Sequence, residues 1–190
     1  VSPELDKQLC EKYPKIFRDR HAPMTQTCMC WGLEVGDGWF NIMNRACSLV
    51  QSYIDQKRAQ RLSAIKFNRA LKQALEKNNK LPLIKHYTIG GNVEWAERQV
   101  ERDLSRPLYR PVPETVNQVV ATQVKEKFGT LRFYYNGGDD YCDGVIHMAE
   151  SMTGCTCEEC GKPGRSNTSG WIKVRCLECF KDETFGSDVL

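Results

Sequence analysis

NQVVATQVKEKFGTLRFYYNGGDD, residues 117–140, is the stretch on which the fold turns. NQVVATQV and TLRFYY are rich in β-branched and aromatic residues, which suit a half-buried pleated surface, and they flank KEKFG. That arrangement predicts an antiparallel hairpin. Asn136-Gly-Gly-Asp-Asp ends the hairpin, and Asp139 or Asp140 is placed to cap a helix. In that helix Val145, Met148, Ala149 and Met152 are expected on the buried side, with Gly154 as the stop.

Upstream, residues 3–13 predict a short helix, with Ser2 as cap and Pro3 at its first position. Leu5, Leu9 and Tyr13 share one side, and Pro14 ends or kinks it. Cys28, Cys30 and Gly32 alternate with Met29 and Trp31, as in a strand. Gly36-Asp37-Gly38 reads as a turn, with Asp37 as a helix N-cap. A long helix follows. Met43, Cys47, Val50 and Ile54 make one apolar stripe, and Leu62, Ile65, Leu71, Ala74 and Leu75 continue a weaker one towards Asn78-Asn79, with a break expected near Lys57. Residues 80–116 are less regular. Gly90-Gly91 is a breaker, VEWAERQVERDL reads as a short helix, and RPLYRPVPE reads as an extended, exposed connector.

Downstream, CTCEECGKPGRSNTSGWIKVRCLECF spans residues 155–180. Cys157-Glu-Glu-Cys160 and Cys176-Leu-Glu-Cys179 are separated by fifteen residues, the spacing of a four-thiolate zinc site. A CxxC turn aims two sulfurs at one ion, and two such turns complete a tetrahedron. Four occupied thiolates leave no open position, so Zn²⁺ is expected to be structural. NTSG reads as a turn entering the strand WIKVRC, and CLECFKDE as a helical turn, the layout of a treble-clef or zinc-ribbon unit. Cys155 is a spare thiol or an alternative ligand, and Cys157 is preferred because it makes the CxxC. Cys28 and Cys30 read as small buried residues, with a second metal site involving His21 or Cys10 as the alternative.

With 190 residues, 41% apolar and 27% charged, the chain suits one globular domain or a domain with an appendage. No apolar run approaches the ~18 residues that span a bilayer, and the opening VSPELDKQLCEKYPKIF has no apolar signal core. We therefore expect no membrane association and no secretion. A reducing compartment follows, in which the ten cysteines are metal ligands and buried thiols rather than five disulfides. The net charge is only +3, but residues 51–86 carry nine basic and two acidic side chains. Lys57, Arg58, Arg61, Lys66, Arg69 and Lys72 form the candidate contact for nucleic acid or a host protein, extended by Lys173 and Arg175. Trp171 is placed to stack on a base if exposed. The Glu34–Asp37 pair and the Asp139, Asp140, Asp143 group are candidate Mg²⁺ ligands for a nuclease, or simply turn and capping residues. No Walker loop, GxSxG, HExxH or dinucleotide fingerprint occurs, so nothing argues for an enzyme.

EKYPKIF, CMCWGLEVGDGWF, QVKEKFGTLRFYYNGGDD, IHMAESM and CEECGKPG…GWIKVRCLEC together resemble a family of uncharacterised tailed-phage and prophage proteins. The resemblance covers roughly residues 10–54 and 117–180. It implies a phage origin, the cytoplasm of an infected bacterium and a zinc-binding C-terminal unit, and it supplies no catalytic residue. The expected fold class is α+β: helices packed on a small antiparallel hairpin or sheet, with a C-terminal treble-clef-like zinc unit. Residues 1–54 are its N-terminal helical part, 55–116 a basic helix and proline-containing variable insertion, 117–153 the hairpin and helix, and 154–190 the zinc unit. The expected function is a non-enzymatic accessory protein binding nucleic acid or a host nucleic-acid-handling machine. The alternatives are an interaction protein that inhibits or sequesters a host defence component or its nucleotide signal, and a metal-dependent nuclease.

Overall fold

The computed structural model describes residues 1–88, 92–167 and 170–180. The Gly90-Gly91 breaker, half of the NTSG turn and the end of the CLECFKDE turn lie outside these residues. The protein mixes helices with small sheets. It forms two compact units: Val1–Ile54 with Val116–Leu190, and Asp55–Thr115.

In the first unit, helix α1 (Pro3–Lys12) buries Leu9, and Tyr13 follows it into the core. The buried Asp6 pairs with Arg20 at 2.6 Å, and Arg20 Nη1 also donates to the carbonyls of Met29 and Cys30. The strand expected across Cys28–Gly32 is instead a 3-10 turn, Cys28–Trp31. Thr27 Oγ1 accepts from Met29 N and donates to Thr122 O, so a side chain satisfies the backbone that a ladder would otherwise need. Gly32, with φ of 87°, then releases the chain into strand β1 (Leu33–Glu34).

The hairpin is present. Strands β2 (Asn117–Lys127) and β3 (Thr130–Gly138) pair antiparallel, with Val124 opposite Phe133 and Lys125 opposite Arg132. Phe128 and Gly129, at φ of 55° and 75°, form the two-residue turn whose twist suits a tight hairpin. β1 adds to β2 in parallel, giving the order β1-β2-β3. The outer edge of β3 is covered by helix α5 (Asp140–Thr153): Leu131 N donates to Thr153 Oγ1 at 2.9 Å and Phe133 N to Glu150 Oε1 at 2.8 Å. Asp139 caps α5 by accepting from Cys142 N. The buried face of α5 is Cys142, Val145, Ile146, Ala149 and Thr153. Met148 and Met152, expected inside, are exposed; they sit about a quarter-turn or more to one side of that stripe.

Helix α2 (Phe40–Lys77) is one element of 38 residues with no break at Lys57. It contains neither Gly nor Pro and is rich in Ala, Leu, Arg, Lys and Gln, so its backbone has no cause to interrupt. Residues 40–54 belong to the first unit, where Met43, Cys47, Val50 and Ile54 are buried as expected. Residues 55–77 belong to the second, where the buried stripe is Ala64, Phe67, Leu71 and Ala74. Leu62 and Leu75, expected in that stripe, are exposed. Asn78, at φ of 49°, ends the helix in the left-handed conformation that asparagine tolerates.

In the second unit, α3 (Leu81–Tyr87) and α4 (Val93–Ser105) close over Phe67, Leu71, Leu83 and Val100. α3 was not expected. α4 matches the expected short helix, and Asn92 caps it by accepting from Trp95 N. The proline-containing segment has no regular structure and is largely exposed, but it is not loose. Asn68 accepts from Arg110 N at 2.8 Å and donates to Arg110 O at 2.9 Å, and Arg61 donates to Pro113 O. The Arg110 guanidinium lies 3.7 Å from the centroid of the Phe67 ring. Among the described residues, no helix is long and apolar enough to cross a membrane.

Candidate metal centre

The four-cysteine segment leaves α5 at Gly154 and immediately forms the first CxxC turn. Cys157 N donates to Lys162 O at 2.8 Å, and Gly161 N to Cys157 O at 2.9 Å. Strands β4 (Arg165–Ser166) and β5 (Val174–Arg175) pair antiparallel and return the chain to the second turn, where Cys179 N donates to Cys176 O at 3.1 Å. The result brings Cys157, Cys160, Cys176 and Cys179 together. Their sulfurs all lie within 4.8 Å of one another, and Cys160 and Cys176 are 3.5 Å apart. Among the described residues, no other group of three or more His, Cys, Asp or Glu side chains gathers its ligand atoms this way. The cluster suits a metal ion.

Backbone amides prepare two of these thiols, Cys157 and Cys176, for ionisation. The Cys179 N–H pulls the Cys176 thiol down to about 7. Burial alone would raise Cys157, but the N–H groups of Cys160 and Cys176 bring it below the usual thiol value. Cys179 is raised, chiefly by the neighbouring Cys160 and Cys176 thiols. Four sulfurs this close share protons unequally, because each negative charge opposes the next. A cation among them removes that conflict.

The segment is fastened to the core by the Gly36-Asp37-Gly38 turn. Gly38 N donates to Glu158 O at 2.7 Å, and Gly36 N to Glu158 Oε1 at 2.9 Å. The buried Trp39 donates from Nε1 to Thr156 O at 2.8 Å. A Cβ on Gly38 would lie 2.2 Å from Cys157 O, so the two backbones touch. Burial pushes the Glu158 carboxyl above the usual carboxylate range, partly offset by the Gly36 N–H. Asp37 is not the helix N-cap expected of it: Gly36 occupies that position, and Asp37 Oδ1 accepts from Ser2 N at 2.6 Å. Sequence reading recognised the turn but not its docking partner. The available signal was two glycines flanking one residue just before a tryptophan.

The remaining candidates fall in several places. Cys155 is exposed and outside the cluster, and its thiol donates to Met152 O. Cys28 and Cys30 are half-buried in the 3-10 turn, and Cys30 donates to Thr27 O. Cys10 donates to Asp6, and burial and that carboxylate push its thiol up to about 12. Among the acidic groups, Asp139 accepts from Tyr53 as well as capping α5, Asp143 accepts from Tyr135, and Glu34 is exposed on β1. Lys66, Arg69 and Lys72 are exposed on α2, Lys57, Arg58 and Arg61 half-exposed. At 100° per residue, these six occupy roughly half the helix circumference, opposite the Ala64–Phe67–Leu71–Ala74 stripe. Lys173 is half-exposed beside β5. Arg175 is engaged within the segment, pairing with Glu159 at 2.6 Å.

No family model, curated protein or solved structure matches the chain.

Proposed function

We propose that this is a phage-encoded, non-enzymatic accessory protein of the infected cell's cytoplasm. Cys157, Cys160, Cys176 and Cys179 hold a structural Zn²⁺ in a treble-clef-like unit, and the basic face of α2 binds nucleic acid or a nucleic-acid-handling machine of the host. Zinc is supported by size and ligand chemistry. With Zn–S near ~2.3 Å, a tetrahedron has edges of about 3.8 Å, which falls between the 3.5 Å Cys160–Cys176 separation and the 4.8 Å limit of the cluster. Bound there, the ion would join the two CxxC turns and supply folding energy to a segment with little core of its own. The treble-clef reading is supported by a CxxC turn, a short hairpin and a second CxxC turn in that order.

The observation that carries the nucleic-acid reading is the basic excess of α2 opposite its buried stripe: eight basic residues against Asp55 and Glu76, which pair with Arg58 and Lys72. Asp55–Thr115 carries thirteen basic and seven acidic residues, net +6, while the rest of the chain is net −3. A polyanion would meet Lys66, Arg69 and Lys72 without disturbing Arg61, which holds Pro113. The test is duplex binding by the zinc-loaded protein across a salt series. Replacing Lys66, Arg69 and Lys72 with Ala should lower affinity and reduce the log–log salt slope by about 2.7, at ~0.9 per phosphate contact. An unchanged slope sinks the assignment. Capture of a host protein is a second reading, favoured by the exposed Leu108 and Tyr109 on the proline segment. Pull-down from nuclease-treated host lysate, with one partner recovered stoichiometrically, would support it instead.

A further inference from the structure

We infer that the solvent face of the β2–β3 hairpin, continued by Trp171 of the four-cysteine segment, is a platform for single-stranded nucleic acid. The inference rests on the nucleic-acid reading but places a separate surface in the first unit.

Register defines the face. Gln123 pairs with Tyr134, Lys125 with Arg132 and Lys127 with Thr130. These alternate with Val124–Phe133, whose side chains are in the core, so they share the outer side. Phe128 stands at the hairpin tip, 64% exposed, and Tyr134 is 43% exposed. The tip adjoins the four-cysteine segment: a Cβ on Gly129 would lie 3.1 Å from Ile172 Cγ2 and 3.3 Å from Val174 Cγ2. Trp171, next to Ile172, is 74% exposed.

Each ring of the hairpin face carries a cation. Lys125 Nζ is 5.6 Å from the Tyr134 centroid and Lys127 Nζ is 5.4 Å from that of Phe128. Lys173 follows Trp171 by two residues. Lys125 and Arg132 are directly opposed, an arrangement that costs stability in a sheet. Glu34 sits beside Lys125 in the parallel register. A bound phosphate would relieve the repulsion.

The chemistry selects the occupant. Exposed rings interleaved with cations match bases that stack and phosphates that pair. A duplex hides its base faces, so only a single strand can use the rings. A protein partner fits less well, because lysine is depleted in protein interfaces and here flanks every ring. Tyr134 and the strand end at Thr130 are four residues apart, roughly 13 Å along the strand, so the rings of the hairpin would take different bases.

The test uses the full zinc-loaded chain with labelled oligothymidine, oligouridine and a duplex of equal length. Phe128→Ala, Tyr134→Ala and Trp171→Ala should each weaken single-strand binding between about five-fold and about a hundred-fold, the range for losing one stacked base. Duplex affinity should stay within about two-fold. Tyr134→Phe should restore single-strand affinity, since it keeps the ring. Binding of either oligomer with this pattern supports the platform. If all three Ala variants bind single strands as the parent does, the platform is wrong, even where the Lys66–Arg69–Lys72 variant loses duplex binding and the α2 reading survives. If that α2 variant binds normally while the ring variants fail on single strands, the α2 reading falls and the platform stands. Failure of the parent to bind any oligomer, with the ring variants losing a host protein instead, makes this a protein surface and overturns the inference. Circular dichroism and zinc content establish that the variants are folded.

Discussion

Gly38→Ala is the most searching single substitution, because it adds one methyl group between two backbones. The new Cβ would lie 2.2 Å from Cys157 O and 2.4 Å from Gly161 N, both backbone atoms of the first CxxC turn. No side-chain rotation relieves that overlap, so the turn must retreat by about 1 Å to reach van der Waals contact. Retreat breaks the 2.7 Å bond from Gly38 N to Glu158 O and strains those of Gly36 N and Trp39 Nε1. One lost hydrogen bond is worth about 1 kcal/mol, and forcing extra volume into a packed site costs about 1–3 kcal/mol. We expect about 3 kcal/mol in total, or roughly 6–12 °C in Tm for a chain of this size. Gly144→Ala is the internal control. That position is inside α5 with nothing within 4 Å of its would-be Cβ. It should gain about 0.5–1 kcal/mol from alanine's helix preference. Urea unfolding of the zinc-loaded protein and both variants, with zinc release followed by a chromogenic chelator, reads both signs at once. Gly38→Ala with an unaltered urea midpoint and unaltered zinc release would refute the docking of the turn on the CxxC backbone.

Cys176→Ser should abolish stoichiometric zinc, measured by elemental analysis, and lower Tm, since three thiolates hold the ion poorly; one zinc per chain in that variant would refute the ligand set. Asp6→Asn should cost about 2 kcal/mol, less than the ~3–5 kcal/mol of a fully buried pair because its partner Arg20 keeps some exposure. The dependence on pH has a definite sign. Burial alone would raise Asp6, but the Arg20 and Cys10 hydrogen bonds and the Arg20 charge hold it below its ordinary 3.8. The wild-type advantage is therefore complete above about 3.8 and is lost as pH falls through the lower, folded value. Urea midpoints of the two proteins should converge over that window, and a gap that widens with acid would contradict the pairing. Asn68→Ala removes both backbone bonds of Arg110. It should speed chymotryptic cleavage at the exposed Leu108 and Tyr109, followed by mass spectrometry; equal cleavage rates would show that Asn68 does not hold the segment.

What could be read from the chain without its structure depended on how local the signal was. The hairpin was legible because β-branched and aromatic runs flank a glycine-bearing turn, and pairing followed from that. The cysteine cluster was legible because two CxxC turns carry their own geometry. β1 was not, since two residues have no period, and its partner lies about ninety residues away. In the second half of α2 the expected apolar stripe was right at Leu71 and Ala74, which are buried, and wrong at Leu62 and Leu75. Leu62 and Leu75 have the volume expected inside, but alanines are buried there beside Phe67, because α3 and α4 pack against Phe67 and Leu71. On α5, two methionines misled in the same way: apolar character did not fix direction, whereas the Cys142–Val145–Ala149 spacing did.

The GDG turn shows why the unread contacts matter most. Glycine at 36 and 38 announces a bend in any protein, and only the fold reveals that both glycines are required by Glu158 and Cys157, some 120 positions away. That contact changes what a metal held by the four cysteines would do. A four-cysteine segment tethered only through α5 would stabilise itself alone. Here its first turn accepts hydrogen bonds from Gly36, Gly38 and Trp39, and Trp39 is fully buried in the same core as Met43 and Val124. The first CxxC turn is thus joined to the start of α2 by three hydrogen bonds and a close backbone contact. With an ion bound, the ion, the GDG turn and the core would form one cooperative structure, and the exposed rings at the hairpin tip are held beside it by Gly129 against Ile172 and Val174.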